Sequence, residues 1–436
     1  MRLFDFSLKV NGFDIYKAKQ TLSEIQNKSD EEFKIYVEQQ KRNIVAYHLE
    51  HNLFYKSFGK SIKISNWNSI PIMTKRHLQQ PIEQRLSEGY TPKNVYLNKT
   101  SGSSGDPFIF AKDKWCHAMT WAEIMNRFSW HDIDFNSSMQ ARFYGIPLDK
   151  KGYYKERLKD WFSNRYRFSV FDLSNSVFDK TLAKFKSSEF EFINGYTSPI
   201  LQFAKYLKQK NIVLTSICPS LKVCIVTSEM LFEDDKLLME TQFGVPVVNE
   251  YGASELDLIA FQNTNDEWQV NNETLFVEVL DANDNIVPHG EEGRIVITSF
   301  YNKAHPFIRY DIGDIGCLSE ESTNRKSILK HLTGRTNDIA ILPSGKKAAG
   351  LTFYYITKSV IENDSNVSEF IIEQLALNHF KIRFVSREEL LPAKKKFITT
   401  EMERYLESGI KVSFDRVDKL KRTKAGKLKQ FTSFIN

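Results

Sequence analysis

The sequence of 436 residues has few cysteines, no long apolar run and little net charge. Its four cysteines, Cys116, Cys218, Cys224 and Cys317, form no CxxC pair and show no His/Cys spacing of a zinc site. So few cysteines in so long a chain exclude a disulfide framework and favour a reducing compartment. Because no stretch approaches the roughly 18 apolar residues that cross a bilayer, we expect no membrane span.

The first twenty residues lack the charged, apolar and small-residue order of a secretory signal. Together with the cysteines, this predicts a cytoplasmic protein. The net charge of +6, from 60 Lys and Arg against 54 Asp and Glu, is too small for a dedicated nucleic-acid-binding protein. Hydrophobic residues make up 41% and charged residues 26% of the chain, which excludes a disordered or collagen-like protein. The oligomeric state stays open between monomer and homodimer.

Short apolar runs alternate with amphipathic segments up to residue 253, which favours α/β layering with largely parallel strands. After residue 270 the pattern becomes strand-rich and hairpin-like, and the last hundred residues predict a small α+β unit. We therefore expect a large domain over residues 1–333 and a small one over 334–436. The small domain holds 19 basic and 12 acidic residues, so the charge excess of the chain lies there.

A loop rich in glycine and hydroxyl residues, Thr100 to Gly105, lies between two predicted strands. Its two glycines permit tight turns that aim backbone N–H groups at an anion, and its hydroxyls add further donors. It is not a Walker A loop, because no lysine follows the second glycine. Taken alone, such a stretch is most often a plain flexible turn.

Four further motifs follow this loop in order. They are Asn249-Glu250-Tyr251-Gly252-Ala253-Ser254-Glu255, Arg309-Tyr310-Asp311-Ile312-Gly313-Asp314, Gly334-Arg335-Thr336-Asn337-Asp338 and Thr423-Lys424-Ala425-Gly426-Lys427. With these five patterns the sequence resembles the adenylate-forming superfamily of acyl-CoA synthetases, peptide-synthetase adenylation domains and luciferases. The resemblance covers most of the chain and is closest to the phenylacetate–CoA ligase branch, which includes proteins of capsular-polysaccharide gene clusters. It implies a large α/β domain with layered sheets and a small mobile α+β lid.

The resemblance implies ATP-dependent activation of a carboxylic acid. The carboxylate attacks the α-phosphate of ATP, an acyl-adenylate forms and pyrophosphate leaves. An acceptor then takes the acyl group; the resemblance favours CoA, while a sugar, an amine or a carrier-protein thiol stays open. Negative charge develops on phosphate oxygens, so the site needs donors and cations held in place beforehand. The expected cofactors are ATP and magnesium.

The resemblance implies a role for one or more residues of each motif. Glu255 would hold magnesium, Tyr251 would stack on adenine, Asp314 would bind the ribose hydroxyls and Arg335 would contact ribose or phosphate. A core tyrosine and a solvated glutamate are the alternatives for Tyr251 and Glu255. The residues implied for ATP and AMP binding are Thr100, Ser101, Gly102, Ser103, Ser104, Gly105, Ser228, Glu229, Asn249, Glu250, Tyr251, Gly252, Ser254, Asp314 and Arg335.

Lys427 matches the catalytic lysine of the family, which bridges the carboxylate and the ATP phosphate as a mobile point charge. Lys424, Lys429 or a merely solvated basic tail are the alternatives, and the preceding Gly426 favours Lys427. The hinge position, where relatives commonly have Asp, carries Asn337 in this chain.

The acyl pocket is expected near Tyr144, Gly145 and Tyr196, because ligands bind at strand ends in α/β sheets. A core role for these aromatic residues fits the sequence equally well. The Cys and His residues of some relatives after the Tyr-Gly motif are missing, so we expect no zinc. Two alternatives of other classes are a catalytically silent binding protein and a nucleic-acid-binding tail over residues 419–429.

Overall fold

The computed structural model describes residues 3–59, 62, 66–100, 108–145, 150–168, 170, 172–335, 339–345, 347–349, 367–422, 428–429 and 431–435. The chain divides into two compact units. The first comprises Met1–Ile312, Cys317–Lys330 and Lys424–Gly426, and the second comprises Gly313–Gly316, His331–Thr423 and Lys427–Asn436. The functional division into a large domain and a lid stays a prediction.

Several helices begin at a polar residue whose side chain accepts a hydrogen bond from the first turn. For example, the side chain of Ser29 accepts a hydrogen bond from the backbone of Glu32, and the Glu32 carboxylate accepts one from the Ser29 N–H at 2.8 Å. The α-helices of the described residues are α1 Leu3–Val10, α2 Ile15–Gln26, α3 Asp30–His51, α4 Leu53–Phe58, α5 Ile82–Arg85, α6 Lys114–Ser129, α7 Lys150–Phe162, α8 Asn175–Lys186, α9 Thr197–Gln209, α10 Glu233–Phe243 and α11 Pro392–Tyr405. None of these described helices is long and apolar enough to cross a membrane.

The strands are short, and most of them are rich in β-branched and aromatic residues. Those of the described residues are β1 Met73–Thr74, β2 Tyr96–Lys99, β3 Ile109–Lys112, β4 Gln140–Phe143, β5 Arg165–Phe168, β6 Phe192–Tyr196, β7 Val223–Thr227, β8 Val247–Ala253, β9 Asp257–Gln262, β10 Trp268–Val270, β11 Leu275–Leu280, β12 Glu292–Ser299, β13 Tyr310–Leu318, β14 Leu329–Arg335, β15 Ile339–Ile341, β16 Lys347–Ala349, β17 Val367–Ala376, β18 His379–Ser386, β19 Lys411–Arg416 and β20 Phe431–Ser433.

A seven-stranded sheet of order β10-β9-β8-β7-β6-β4-β5 forms the centre of the first unit. Strands β5, β4, β6, β7 and β8 are parallel, whereas β9 and β10 are antiparallel additions. On one face, Phe143 packs in a core with Phe185 and Phe203. On the other, Phe128 of α6 packs against Ile225 and neighbouring strand residues. The predicted α/β layering with largely parallel strands is confirmed.

A second sheet of the first unit has the order β1-β13-β12-β11, with β14 paired to β13. Strands β11 and β12 form an antiparallel pair with the register Leu275↔Ser299 to Leu280↔Arg294, which confirms the predicted hairpin region. Strands β2 and β3 form a separate antiparallel pair on either side of the glycine-rich loop.

The second unit has its own sheet and core. Its sheet has the order β19-β18-β17-β20, and β15 pairs with β16. Alternate residues of β18 are buried, among them Phe380, Ile382 and Phe384, and they pack with Ile398 and Met402 of α11. The predicted fold class, a large α/β domain with a small α+β domain, is therefore confirmed.

Candidate active site

The carboxyl ends of the parallel strands carry the residues that the sequence singled out. Tyr144 directly follows β4, Tyr196 ends β6, and Ser228 and Glu229 follow β7. Because these strands are parallel, their ends share one edge of the sheet, which is where ligands bind in α/β folds. The predicted strand ends are confirmed, whereas the predicted ligand contacts stay predictions.

Gly195 lets β6 lie close to β4 at this edge. A Cβ atom at this position would lie 2.4 Å from the Phe143 carbonyl oxygen and 2.6 Å from the Phe143 Cβ. Both atoms belong to or adjoin the backbone of β4, so no rotation of a side chain relieves the overlap. The sheet therefore requires glycine here.

Glu229 fixes the start of α9. Its carboxylate accepts hydrogen bonds from the Ser198 N–H at 2.6 Å and the Ser198 hydroxyl at 3.2 Å. An acidic side chain at a helix amino terminus is also stabilised by the helix dipole. The preceding Ser228 has a φ of +72°, uncommon for a residue with a Cβ, and turns the chain out of β7.

The Tyr-Gly motif lies on β8 and its turn into β9. The Asn249 N–H donates to Gln262 Oε1 at 3.0 Å, which joins the first motif residue to β9. Gly252 is required, because a Cβ there would lie 2.5 Å from the Asp257 carbonyl oxygen. Tyr251 is buried, with its ring 6.0 Å from that of Trp268 in an edge-on arrangement. The adenine-stacking and core interpretations of Tyr251 both stay open.

Glu255 is buried at the end of this motif, and its Oε1 accepts a hydrogen bond from the Tyr310 hydroxyl at 2.8 Å. Tyr310 belongs to the third motif of the sequence. The tertiary structure thus joins two motifs that are 55 residues apart. The surface-exposed alternative for Glu255 is wrong, because the side chain is buried.

Lys112 is a charged residue of this region that sequence reasoning missed. It ends β3, its side chain is 2% exposed, and its ammonium forms an ion pair with Asp257. Burial lowers the pKa of Lys112 to about 8, while the negative charge of Glu255 favours its charged form. The available signal was a lysine that ends an otherwise apolar strand directly after the glycine-rich loop.

The carboxylate of Glu255 fits the expected magnesium. Mg²⁺ prefers hard oxygen ligands and commonly uses one or two carboxylates together with substrate phosphates and water. No group of three His, Cys, Asp or Glu side chains among the described residues is arranged to hold a metal. Glu255 therefore suits an ion that arrives with a nucleotide.

Two predicted nucleotide ligands lie on neighbouring strands. Asp314 is part of β13 and follows Gly313, which has a φ of +85°. Arg335 is the last residue of β14. Both belong to segments of the second unit. Their contacts with ribose and phosphate stay predictions.

Thr100 anchors the base of the glycine-rich loop. Its N–H donates to the Phe108 carbonyl at 3.0 Å, and its hydroxyl accepts from the Phe108 N–H at 3.1 Å. These paired bonds hold the two ends of the loop together. The predictions for Ser101, Gly102, Ser103, Ser104, Gly105, Asn337, Lys424 and Lys427 lie outside the described residues.

Comparison with known proteins links this arrangement to characterised sequences. No family model matches the chain. Protein CapK of Staphylococcus aureus is 26% identical over 364 residues, which cover 80% of this chain and 76% of CapK. A phenylacetate–coenzyme A ligase of Pseudomonas putida is 22% identical over 257 residues, which cover 57% of this chain and 56% of that ligase.

The fold also matches a solved structure. A 2-hydroxyisobutyryl-CoA ligase, in the postadenylation state with R3-HIB-AMP, superimposes with a TM-score of 0.70 at 15% identity, covering 92% of this chain and 90% of that one. The chain is thus similar in sequence to CapK and to phenylacetate–CoA ligases, and it shares the fold of this CoA ligase. The resemblance seen in the motifs is thereby confirmed, as is the prediction of an AMP-forming ligase.

At the same edge of the sheet, Arg142 is a second charged residue that sequence reasoning missed. Its guanidinium lies over the Tyr144 ring, 4.3 Å from the centroid, and the Tyr144 and Tyr196 rings are 4.6 Å apart. Burial raises the pKa of Glu250 to about 7, against the opposing effects of Thr227 and Arg142. The signal for Arg142 was a charge within the short strand that leads to Tyr144.

Proposed function

We propose that the protein activates a carboxylic acid with ATP, forms an acyl-adenylate with release of pyrophosphate, and transfers the acyl group to CoA. The hydrogen bond between Tyr310 and the buried Glu255 carries this proposal. This bond places Glu255, the proposed magnesium ligand of one motif, beside Tyr310 of another motif. Both lie close to the carboxyl ends of the parallel strands. The similarity to phenylacetate–CoA ligases supports the same chemistry.

Each protein group then has a defined task. The loop that starts at Thr100 binds the β- and γ-phosphates through backbone N–H groups. Glu255 would hold magnesium, which would supply positive charge opposite the phosphates. Asp314 orients the ribose, and Lys427 places the acid carboxylate next to the α-phosphate. Rate acceleration comes mainly from position and electrostatic stabilisation.

The test is pyrophosphate–ATP exchange that depends on a carboxylic acid, measured with aromatic, aliphatic, hydroxy and amino acids. We expect exchange with at least one acid class. Lys427→Ala should lower the exchange rate about 100-fold or more, since it removes a charge that acts on the transition state.

Lys419→Ala is the matched control, because Lys419 is an exposed lysine of the same basic segment. It should retain the exchange rate of the unaltered protein. An absence of exchange with every acid, while ATP still binds, would contradict the proposed function. Full activity of Lys427→Ala would remove only Lys427 from its role.

A second candidate is the same adenylation with an acceptor other than CoA. The similarity to CapK favours it, because this match covers more of the chain than the match to the phenylacetate–CoA ligases. The acceptor would be a sugar, an amine or a carrier-protein thiol. Mass spectrometry of the products with and without CoA distinguishes the two: a thioester that requires CoA supports the first candidate, and its absence supports the second.

A further inference from the structure

Three arginines lie on one face of the seven-stranded sheet at its β5 edge. Arg142 belongs to β4, and Arg165 and Arg167 belong to β5. The register pairs Arg142 with Arg167 and Gln140 with Arg165. Residues paired in register point to the same face, as do residues two apart along a strand. Three positive charges this close together repel one another, so nearby acidic side chains are needed to neutralise them.

The helix α7, which connects β4 to β5, supplies two such acids. Arg165 Nε lies 2.6 Å from Asp160 Oδ1. An amino group of Arg167 lies 2.9 Å from Glu156 Oε2 and 3.0 Å from Asp160 Oδ1. Both arginines of β5 are therefore paired, while Asp160 Oδ2 has no hydrogen-bond partner among the described residues.

Arg142 forms no ion pair within 4 Å with a described acid, although the negative charges of Asp160 and Glu250 act on it from a greater distance. Its Nε is buried and has no hydrogen-bond partner among the described residues. Part of the residue remains accessible, in contrast to the fully buried Phe143 beside it. Burial lowers the pKa of Arg142 to about 10, but the group stays charged near neutral pH. Its contact with the Tyr144 ring offsets only a part of the cost of desolvation.

The position of Arg142 connects it to the proposed acid pocket. Its register partner on β6 is Asn194. Two residues nearer the carboxyl edge, Tyr196, Thr227 and Glu250 lie side by side on β6, β7 and β8. The ring of Tyr144 lies near both groups, with its centroid 4.3 Å from the guanidinium and 4.6 Å from the ring of Tyr196. We therefore expect the far end of an acid bound at this edge, opposite its reacting carboxylate, to contact the guanidinium of Arg142.

We propose that Arg142 binds a second anionic group of the acid, so that the preferred substrates carry a further carboxylate besides the one that is adenylated. This inference rests on the proposed function and names its substrate class. A guanidinium presents a planar fork of N–H donors that matches a carboxylate, and hydrogen bonds between charged groups are the strong ones. Such a ligand supplies the direct, hydrogen-bonded counter-ion that the described residues do not, since Asp160 and Glu250 act on Arg142 only from a greater distance.

The experiment compares pairs of acids that match in size and differ in the remote group: glutarate with pentanoate, and terephthalate with 4-methylbenzoate. Pyrophosphate–ATP exchange gives kcat/KM for each acid, and the ratio within a pair is independent of the fraction of folded enzyme. We expect the dicarboxylate to be preferred about tenfold or more in at least one pair, since a charge-assisted hydrogen bond contributes at least that factor. Arg142→Met should abolish this preference, and Arg142→Lys should retain a part of it.

Arg165→Met is the matched control, because it removes a neighbouring arginine whose partner is Asp160. It should lower thermal stability and leave the ratio within each pair unchanged. Calorimetric binding of the preferred dicarboxylate to the unaltered protein and to Arg142→Met gives a readout that needs no turnover, with weaker binding expected for the variant.

Two results would overturn the inference while leaving the proposed function intact. The first is a kcat/KM for each monocarboxylate that equals or exceeds that of its matched dicarboxylate. The second is a preference for the dicarboxylate that Arg142→Met does not change. Absence of exchange with every acid contradicts the proposed function itself. In that case, equal binding of the dicarboxylate to both proteins would also contradict the role of Arg142.

Discussion

Two buried arginines of the first unit have opposite surroundings. Arg309, directly before β13, has an acid beside it: Nε donates to Glu278 Oε2 at 3.3 Å, one amino group lies 3.3 Å from Glu278 Oε1 without a hydrogen bond, and the other donates to the Ile70 carbonyl at 2.9 Å. Arg142, on β4, forms no ion pair within 4 Å with a described acid, and its Nε has no hydrogen-bond partner among the described residues. A buried charge with its partner holds the scaffold together, whereas one without a partner at a ligand-binding edge indicates a place for a ligand.

The comparison predicts the largest loss of stability for Arg309→Met. This change leaves the Glu278 carboxylate, 1% exposed, without its counter-ion. We expect the free energy of unfolding to fall by about 3–5 kcal/mol, the usual cost of breaking a buried pair from one side. Denaturant unfolding measures it, with Arg404→Met as the control because that side chain is 75% exposed. A loss below about 1 kcal/mol would show that the ion pair of Arg309 contributes little to stability, and the contrast with Arg142 would not hold.

Gly195→Ala tests whether the carboxyl edge is a rigid, closely packed structure. The new Cβ would overlap the Phe143 backbone, so β4 and β6 must separate. We expect a loss of about 1–3 kcal/mol in the free energy of unfolding, typical of overpacking. Gly409→Ala is a control that meets no atom within 4 Å and differs only in its positive φ. An equal or smaller loss for Gly195→Ala than for this control would show that the edge adapts.

Glu250→Gln tests the charge at the same edge through the pH dependence of protein stability. Burial raises the pKa of Glu250 from its ordinary value near 4.5 to about 7, so the folded protein holds this proton more tightly than the unfolded chain. Stability from this group is therefore present below pH 4.5 and is lost as the pH rises through about 7. The glutamine variant lacks this loss, so relative to the unaltered protein it should gain about 2–3 kcal/mol between pH 5 and pH 8. Parallel melting-temperature profiles over this range would contradict the assignment.

Arg142→Met should have the smallest effect on stability. It removes a charge with no described partner and leaves the neighbouring ion pairs of β5 intact. We expect the free energy of unfolding to change by about 1 kcal/mol or less, in either direction, because replacing an unpaired buried charge with an apolar group is often neutral or stabilising. A loss as large as that of Arg309→Met, measured under the same conditions, would assign Arg142 to the scaffold.

The strand ends at Tyr144, Tyr196 and Ser228 were predictable from the sequence. Short apolar runs that alternate with amphipathic segments mark strands and helices, and this pattern depends only on neighbouring residues. The change to antiparallel strands after residue 270 was predictable for the same reason, with a turn near residues 281–285 between two apolar runs. Glu255 was found through its motif, which is a local feature. In contrast, Lys112 and Arg142 belong to short strands in which a charged residue is equally typical of a solvated edge, so the local signal was too weak to identify them.

The sequence by itself determined the fold class, the superfamily and the order of the motifs, because hydrophobic period, turn residues and motif spacing are properties of neighbouring positions. Only the tertiary structure decided which charges are buried and which are paired. Glu255 meets Tyr310, Lys112 meets Asp257, and Arg142 lies beside two arginines whose acids are already engaged. Desolvation and pairing depend on residues that are distant along the chain and close in space, so no local pattern contains them.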